Sequence, residues 1–219
     1  MLVACWSAKG GSGTTVVAVS LAALLARSAG SSLVVDLAGD VPAVLGMPEP
    51  AGAGVLDWIA AGASVPPDAF ARLELEGPGG VRVVPRGSIA AGDDASQAGR
   101  GDVLAALLAA DRRPVVVDCG SQPRSAALAI AASASLSLLV LRPCYLALRR
   151  AEAFPLRPSG VVLVTEDHRE LTVDDVESVL GVPVRAVVAV DPAIATLVDS
   201  GSLVGRLPRR LERSLRRAA

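Results

Sequence analysis

Lysine is almost missing from this chain: 20 of its 21 basic residues are arginine, and the remaining one is Lys9. Aromatic residues make up only 2% of the sequence, although 52% is apolar, so any core is built from Ala, Val and Leu. There is a single histidine, His168, in the polar run 165–170, where it reads as a solvated loop residue with no catalytic companion nearby. The three cysteines, Cys5, Cys119 and Cys144, have neither the spacing of a metal site nor that of a disulfide framework, which suits a reducing compartment. Long apolar runs are lacking too. The best candidate, 126–141, is interrupted by Ser133, Ser135 and Ser137 and reads as a helix followed by a strand, not a membrane span. Residues 1–6 have no basic segment and no room for a signal-peptide core, so the expectation is an unprocessed cytoplasmic protein.

The net charge of −1 says little about partners, but its distribution says more. From Arg206 onward there are six arginines against Glu212 alone, so an acidic body precedes a basic end. At 219 residues the chain suits one α/β domain. Short apolar strands are expected at 2–6, 33–36, 81–84, 114–118, 136–141, 160–164 and 184–190. Helices are expected at 14–27, 55–61, 102–110, 125–132, 146–153, 173–180, 193–199 and 209–217. Strands that are apolar throughout and alternate with helices imply a mostly parallel sheet with helices on both faces. Such sheets bind ligands at the carboxyl ends of their strands. No linker divides the chain before residue 205; the segment 206–219 reads as a basic amphipathic tail.

Three features converge on those strand ends. The first strand runs into Lys9-Gly10-Gly11-Ser12-Gly13-Thr14-Thr15, the second ends at Asp36, and the fourth ends at Asp118. Glycines let backbone amides turn inward toward phosphate oxygens, and the helix that follows points its positive end at the same anion. Thr15 stands where a P-loop places its Mg²⁺-binding hydroxyl. The lone lysine would fall inside this seven-residue loop by chance about one time in thirty; lysine is a compact point charge that arginine does not replace in a tight cradle. Lys9 therefore reads as chemically required.

Lys-Gly-Gly-x-Gly-x-Thr, opened by lysine, resembles the deviant Walker A loop of the ParA/MinD family of P-loop ATPases. The segments 33–36, 115–120, 141–143 and 188–192 follow in the order and at the spacing of that family's first switch, Walker B strand, a strand followed by proline, and base-bordering loop. The resemblance implies binding of ATP and Mg²⁺ and an ATP-dependent homodimer in which Lys9 reaches the partner's phosphates. It implies metal holding by Thr15, Asp36 and Asp118, phosphate contacts from Lys9 to Thr15, and base contacts at Asp191 and Pro192. A job in positioning a cellular assembly follows: a pilus or secretion machine, a division site, or DNA. The short chain looks most like members associated with Tad-type pilus assembly.

Two departures qualify this. Thr14 occupies the place of the ordinary P-loop lysine, which implies weaker binding and slow hydrolysis unless another cation, Lys9 or Arg124, substitutes. The family's first switch has two aspartates one residue apart; here Ala38 takes the second place and Asp40 follows two residues later. Asp40 is open between positioning the attacking water and being an ordinary turn residue. These departures favour the alternative, a scaffold that binds ATP without hydrolysis, or no nucleotide, and acts through an unidentified protein partner. For the tail, Leu203, Leu207, Leu211 and Leu215 recur every four residues among arginines. The open readings are contact with an anionic membrane face, non-specific DNA contact, or docking of the leucines on the body.

Overall fold

The computed structural model describes every residue except 63, 64, 67, 89–94, 168 and 219, and the side chains of 95–98. The expectation for His168 lies outside the described residues. The strands are β1 (Leu2–Ser7), β2 (Ser32–Asp36), β3 (Leu75–Glu76), β4 (Val81–Val84), β5 (Val115–Ser121), β6 (Leu136–Leu141), β7 (Gly160–Thr165) and β8 (Val184–Ala189). The helices are α1 (Thr14–Ala29), α2 (Val41–Val44), α3 (Val55–Ala60), α4 (Asp68–Ala71), α5 (Ala95–Ala109), α6 (Ser125–Ser133), α7 (Tyr145–Glu152), α8 (Val173–Leu180), α9 (Pro192–Asp199) and α10 (Arg209–Leu215).

All eight strands form one sheet in the order β3-β4-β2-β5-β1-β6-β7-β8. Every pairing is parallel apart from the two-residue strand β3, which runs antiparallel to β4 at one edge. The fold class expected from the sequence, a mostly parallel sheet with helices on both faces, is the one observed. Alternation along β1 explains the two layers. Leu2, Ala4 and Trp6 point into a core shared with α3, α5, α6, α7 and α8. Val3 and Cys5 point into the opposite core, shared with α1, α2 and α10. Each strand of the centre thus has apolar residues at both parities, because both faces exclude water. With few aromatics, the cores are closed mostly by many small contacts; Trp6, Trp58 and Phe70 are the buried exceptions, and the Trp6 indole N–H donates to Ser137 Oγ at 3.0 Å.

The chain's end docks on the body. Leu203, Leu207, Leu211, Leu215 and Ala218 are buried in the same core as α1, whereas Arg206, Arg209, Arg210, Arg213, Arg216 and Arg217 are exposed. No described helix is long and apolar enough to cross a membrane.

Candidate functional site

β1 and β5 are adjacent in the sheet centre, and the chain leaves β1 into the glycine loop. Gly11 and Gly13 have φ of +76° and +88°, and a Cβ at either would meet nothing within 4 Å. Glycine is thus demanded there by backbone conformation, not by lack of room. Ser12 is buried, and its hydroxyl donates to the Lys9 carbonyl at 2.8 Å, so this side chain closes the loop. α1 begins at once, with Val17 N–H donating to the Gly13 carbonyl at 3.0 Å. Gly13 at the cap has no side chain to occupy the first amides, and the first turn has no acidic residue. An uncapped positive helix end facing an open cavity favours an anion there.

Asp118 lies beside it, fully buried. Its Oδ1 accepts from Gly120 N–H at 3.0 Å, while Oδ2 is buried with no partner. Burial pushes its pKa up to about 6; the nearby Thr15 hydroxyl and the Gly120 N–H oppose that rise, and the charges of Asp36 and Asp40 add to it. A buried carboxylate oxygen left bare next to a threonine hydroxyl is the arrangement expected where a hard cation completes the site. Among the described residues no three His, Cys, Asp or Glu side chains converge to hold a metal alone. A cation here would therefore rely on ligand oxygens and water as well as protein, which is normal for Mg²⁺.

Asp36 is also fully buried, but its oxygens are taken. Oδ1 accepts from Ala38 N–H at 2.9 Å and Gly39 N–H at 2.6 Å, and Oδ2 accepts from Val41 N–H at 3.0 Å. Burial raises its pKa, while these three amides work the other way. In this arrangement Asp36 holds the loop 37–41 in shape; one lone pair of Oδ2 remains for any further partner. Asp40 ends that loop. It is exposed, sits at the cap of α2 without a side-chain capping bond, and lines a cavity of about 800 Å³ together with the glycine loop, Ala38 and Gly120.

That cavity brings together Gly10, Gly11, Ser12, Gly13, Thr14, Thr15 and Asp40. It does not include Lys9, which is half-buried and makes no ion pair with any described residue. It does not include Arg124 either. Asp191 and Pro192 line a separate cavity of about 730 Å³ with Thr165 and residues of α10; the Asp191 carboxylate accepts from Ala193 N–H at 2.8 Å and caps α9. From α9, it is Val198 and Asp199 that border the glycine-loop cavity. Sequence reasoning also missed Arg86 and Ser121 on its wall. The available signal was position: Arg86 follows β4 and Ser121 closes β5, both at carboxyl ends of parallel strands. Cys119, on the same wall, is buried and has its thiol pushed well above the usual range by burial and by the nearby Asp118 charge, so it is inert packing.

A parallel sheet with a glycine loop running from its central strand into a helix is the architecture of the doubly wound α/β folds, the P-loop fold among them. The comparisons with solved structures are more particular. No family model matches the sequence, and no curated protein matches it significantly. Among solved structures, the ParA family ATPase from Chlorobium tepidum TLS superposes with a TM-score of 0.77 at 19% identity, covering 98% of this chain and 96% of that one. MinD from Pyrococcus horikoshii OT3, complexed with Mg-ADP, gives 0.75 at 17% identity, covering 99% and 93%. A McdA variant from Cyanothece in complex with ATP gives 0.70 at 18% identity, covering 99% and 95%. The chain has the fold of the ParA/MinD ATPases along essentially its whole length.

Proposed function

We propose that this chain is a dimerising, ATP- and Mg²⁺-dependent switch of the ParA/MinD type that positions a cellular assembly and hydrolyses ATP slowly. The observation that carries the reading is the bare, buried Oδ2 of Asp118 beside Thr15, behind the wall of a cavity lined by a glycine loop whose first amides have no side-chain cap. Mg²⁺ in that place would neutralise phosphate charge as a Lewis acid. Thr15 and Asp118 would hold it, with Asp36 shaping the adjoining loop. The amides from Gly10 to Thr15 would bind the phosphates, and Asp40, exposed on the facing wall, would orient a water. Asp191 and Pro192 would contact the base from the neighbouring cavity. Lys9 lies outside its own cavity, which supports a role toward a second copy across a dimer. The segment 206–219 would act as a basic tail on the domain 1–205, offering exposed arginines to an anionic membrane face or to DNA phosphates. The cargo we favour is a pilus or secretion machine, with a division site or DNA as the other candidates; a cytoplasmic protein touching the inner membrane face suits each.

A second reading is a scaffold that does not hydrolyse ATP. Thr14 in the lysine position, Ala38 in the switch and the saturated Oδ1 of Asp36 favour it. Calorimetry with ATP and Mg²⁺, paired with light scattering, tests the main reading for the wild type and Lys9→Ala. ATP should bind and double the mass of the wild type, and Lys9→Ala should bind without doubling. Absence of both binding and mass change at millimolar ATP would leave only the nucleotide-free scaffold. Phosphate release over many turnovers then decides between the slow enzyme and the ATP-binding scaffold.

A further inference from the structure

The loop has no lysine at Thr14, and Lys9 and Arg124 do not line the cavity, so the positive charge that terminal phosphates need within one chain has to come from elsewhere. We propose that Arg86 supplies it: it replaces the missing P-loop lysine in cis, reaching the terminal phosphates of a nucleoside triphosphate from its place beside the loop 37–41 on the wall of the same cavity. This rests on the nucleotide-binding reading above.

The backbone at Arg86 is fixed from both sides. The carbonyls of Pro85 and Arg86 accept from the first amides of α3, Val55 N–H at 2.8 Å and Leu56 N–H at 3.0 Å. Asp57 Oδ2 accepts from Gly54 N–H at 2.7 Å and from Ser88 N–H at 3.2 Å, tying the residue before α3 to the residue two beyond Arg86. Gly54 lies so close to this turn that a Cβ on it would sit 2.2 Å from the Gly87 nitrogen. The end of β4 and the start of α3 are thus packed backbone to backbone, and the main chain that carries the Arg86 side chain is held in place.

The side chain lies across the loop 37–41. Its Cδ is 3.2 Å from where a Cβ on Gly39 would be, and it lines the cavity together with Asp40 and the glycine loop. Its Nε is buried without a hydrogen-bond partner, and its guanidinium makes no ion pair with any described residue. Arg100 and Arg142 also have a buried Nε without a partner, but their guanidinium groups are engaged otherwise: Arg142 pairs with Glu166, and Arg100 donates to the Trp58 carbonyl and lies over the Trp58 ring. For Arg86, a buried Nε without a partner leaves the guanidinium incompletely satisfied, and it lines the cavity where the glycine loop is expected to hold an anion. Its planar fork of donors suits phosphate oxygens. Arginine is too large for the tight turn that a P-loop lysine crosses; from the switch side it has room to approach the outermost phosphates.

The test is calorimetric binding of ATP, AMP and inorganic tripolyphosphate, with Mg²⁺, to the wild type, Arg86→Ala, Arg86→Lys and the double variant Arg86→Ala/Thr14→Lys, each checked for folding by its thermal melt. The expected result is a 10- to 100-fold weaker Kd for ATP in Arg86→Ala, a smaller loss in Arg86→Lys, little change for AMP, and recovery of ATP binding in the double variant. If Arg86→Ala is folded and binds ATP as the wild type does, or loses ATP and AMP equally, the role of Arg86 is overturned while the nucleotide reading stands. If the wild type itself binds neither ATP nor tripolyphosphate, both readings fall together.

Discussion

Asp36 and Asp118 are register partners on adjacent parallel strands, both wholly buried, yet they face different demands. Asp36 is satisfied by three amides of its own loop, whereas Asp118 keeps one oxygen bare. The strain of the pair therefore falls mostly on Asp118. Its folded pKa, about 6, lies above the ordinary 3.8, so the folded state holds more protons than the unfolded one between about pH 4 and pH 6. Stability of the ligand-free protein should fall as pH rises through that window and level off above it. Asp118→Asn removes the buried charge and should raise Tm at pH 7.5 by roughly 2–5 °C while flattening most of the pH dependence. Thermal melts of both proteins from pH 4 to pH 8 check this. An Asp118→Asn protein that melts lower than the wild type at pH 7.5 would show that the carboxylate is stabilising and that the site is complete without a cation.

The same carboxylate links stability to ligand. Mg²⁺ and ATP would favour ionised Asp118, so the rise in Tm on adding them should be larger at pH 7.5 than at pH 5, and Asp118→Asn should lose most of that rise. Equal shifts at both pH values would place the cation elsewhere.

The two glycines of the loop allow a cleaner separation of backbone from space. At Gly11 and Gly13 an added methyl group meets no atom, and only the left-handed φ resists it. Gly13→Ala should therefore cost about 1–2 kcal/mol, the usual price of a left-handed alanine, and leave the fold intact. Urea unfolding would measure this. A loss several times larger would mean that the loop packs more tightly than it does here.

Much of this was legible in the sequence for a physical reason: central parallel strands are apolar at every position, so their ends are sharp. β4 and β6 fall on the expected residues, and β1, β2, β5, β7 and β8 differ only at their ends. The strand ends then located the glycine loop, Asp36 and Asp118. What was not legible depends on contacts far apart in the chain. β3 is two exposed residues whose pairing with β4 no local pattern announces. α2 is four residues long and is organised by the Asp36 carboxylate accepting from Val41 N–H. Arg86 looks like any arginine after a strand until β4 is known to lie beside β2, which places it over Gly39. Asp191 and Pro192 sit at a strand end as expected, but α10 encloses them in a cavity of their own, apart from the glycine loop.

The tail offers a test in which packing and charge pull apart. Leu211 and Leu215 are buried against α1 and its neighbours, so Leu215→Ala should cost about 2–5 kcal/mol in urea unfolding, whereas Arg210→Ala or Arg217→Ala should change stability by less than about 0.5 kcal/mol. With the leucines docked, only the arginines face outward, and α10 has no apolar face to insert into lipid. Binding to anionic vesicles or to duplex DNA, if the tail mediates it, should then be electrostatic. It should weaken steeply between 50 and 200 mM salt, on the order of tenfold or more, and drop further in Arg210→Ala/Arg213→Ala/Arg217→Ala, which retains the wild-type melt. Vesicle sedimentation and DNA filter binding across that salt range read this out. Vesicle binding that persists at high salt and is lost in Leu215→Ala would mean that the helix undocks and inserts, reversing the roles assigned here to its two faces.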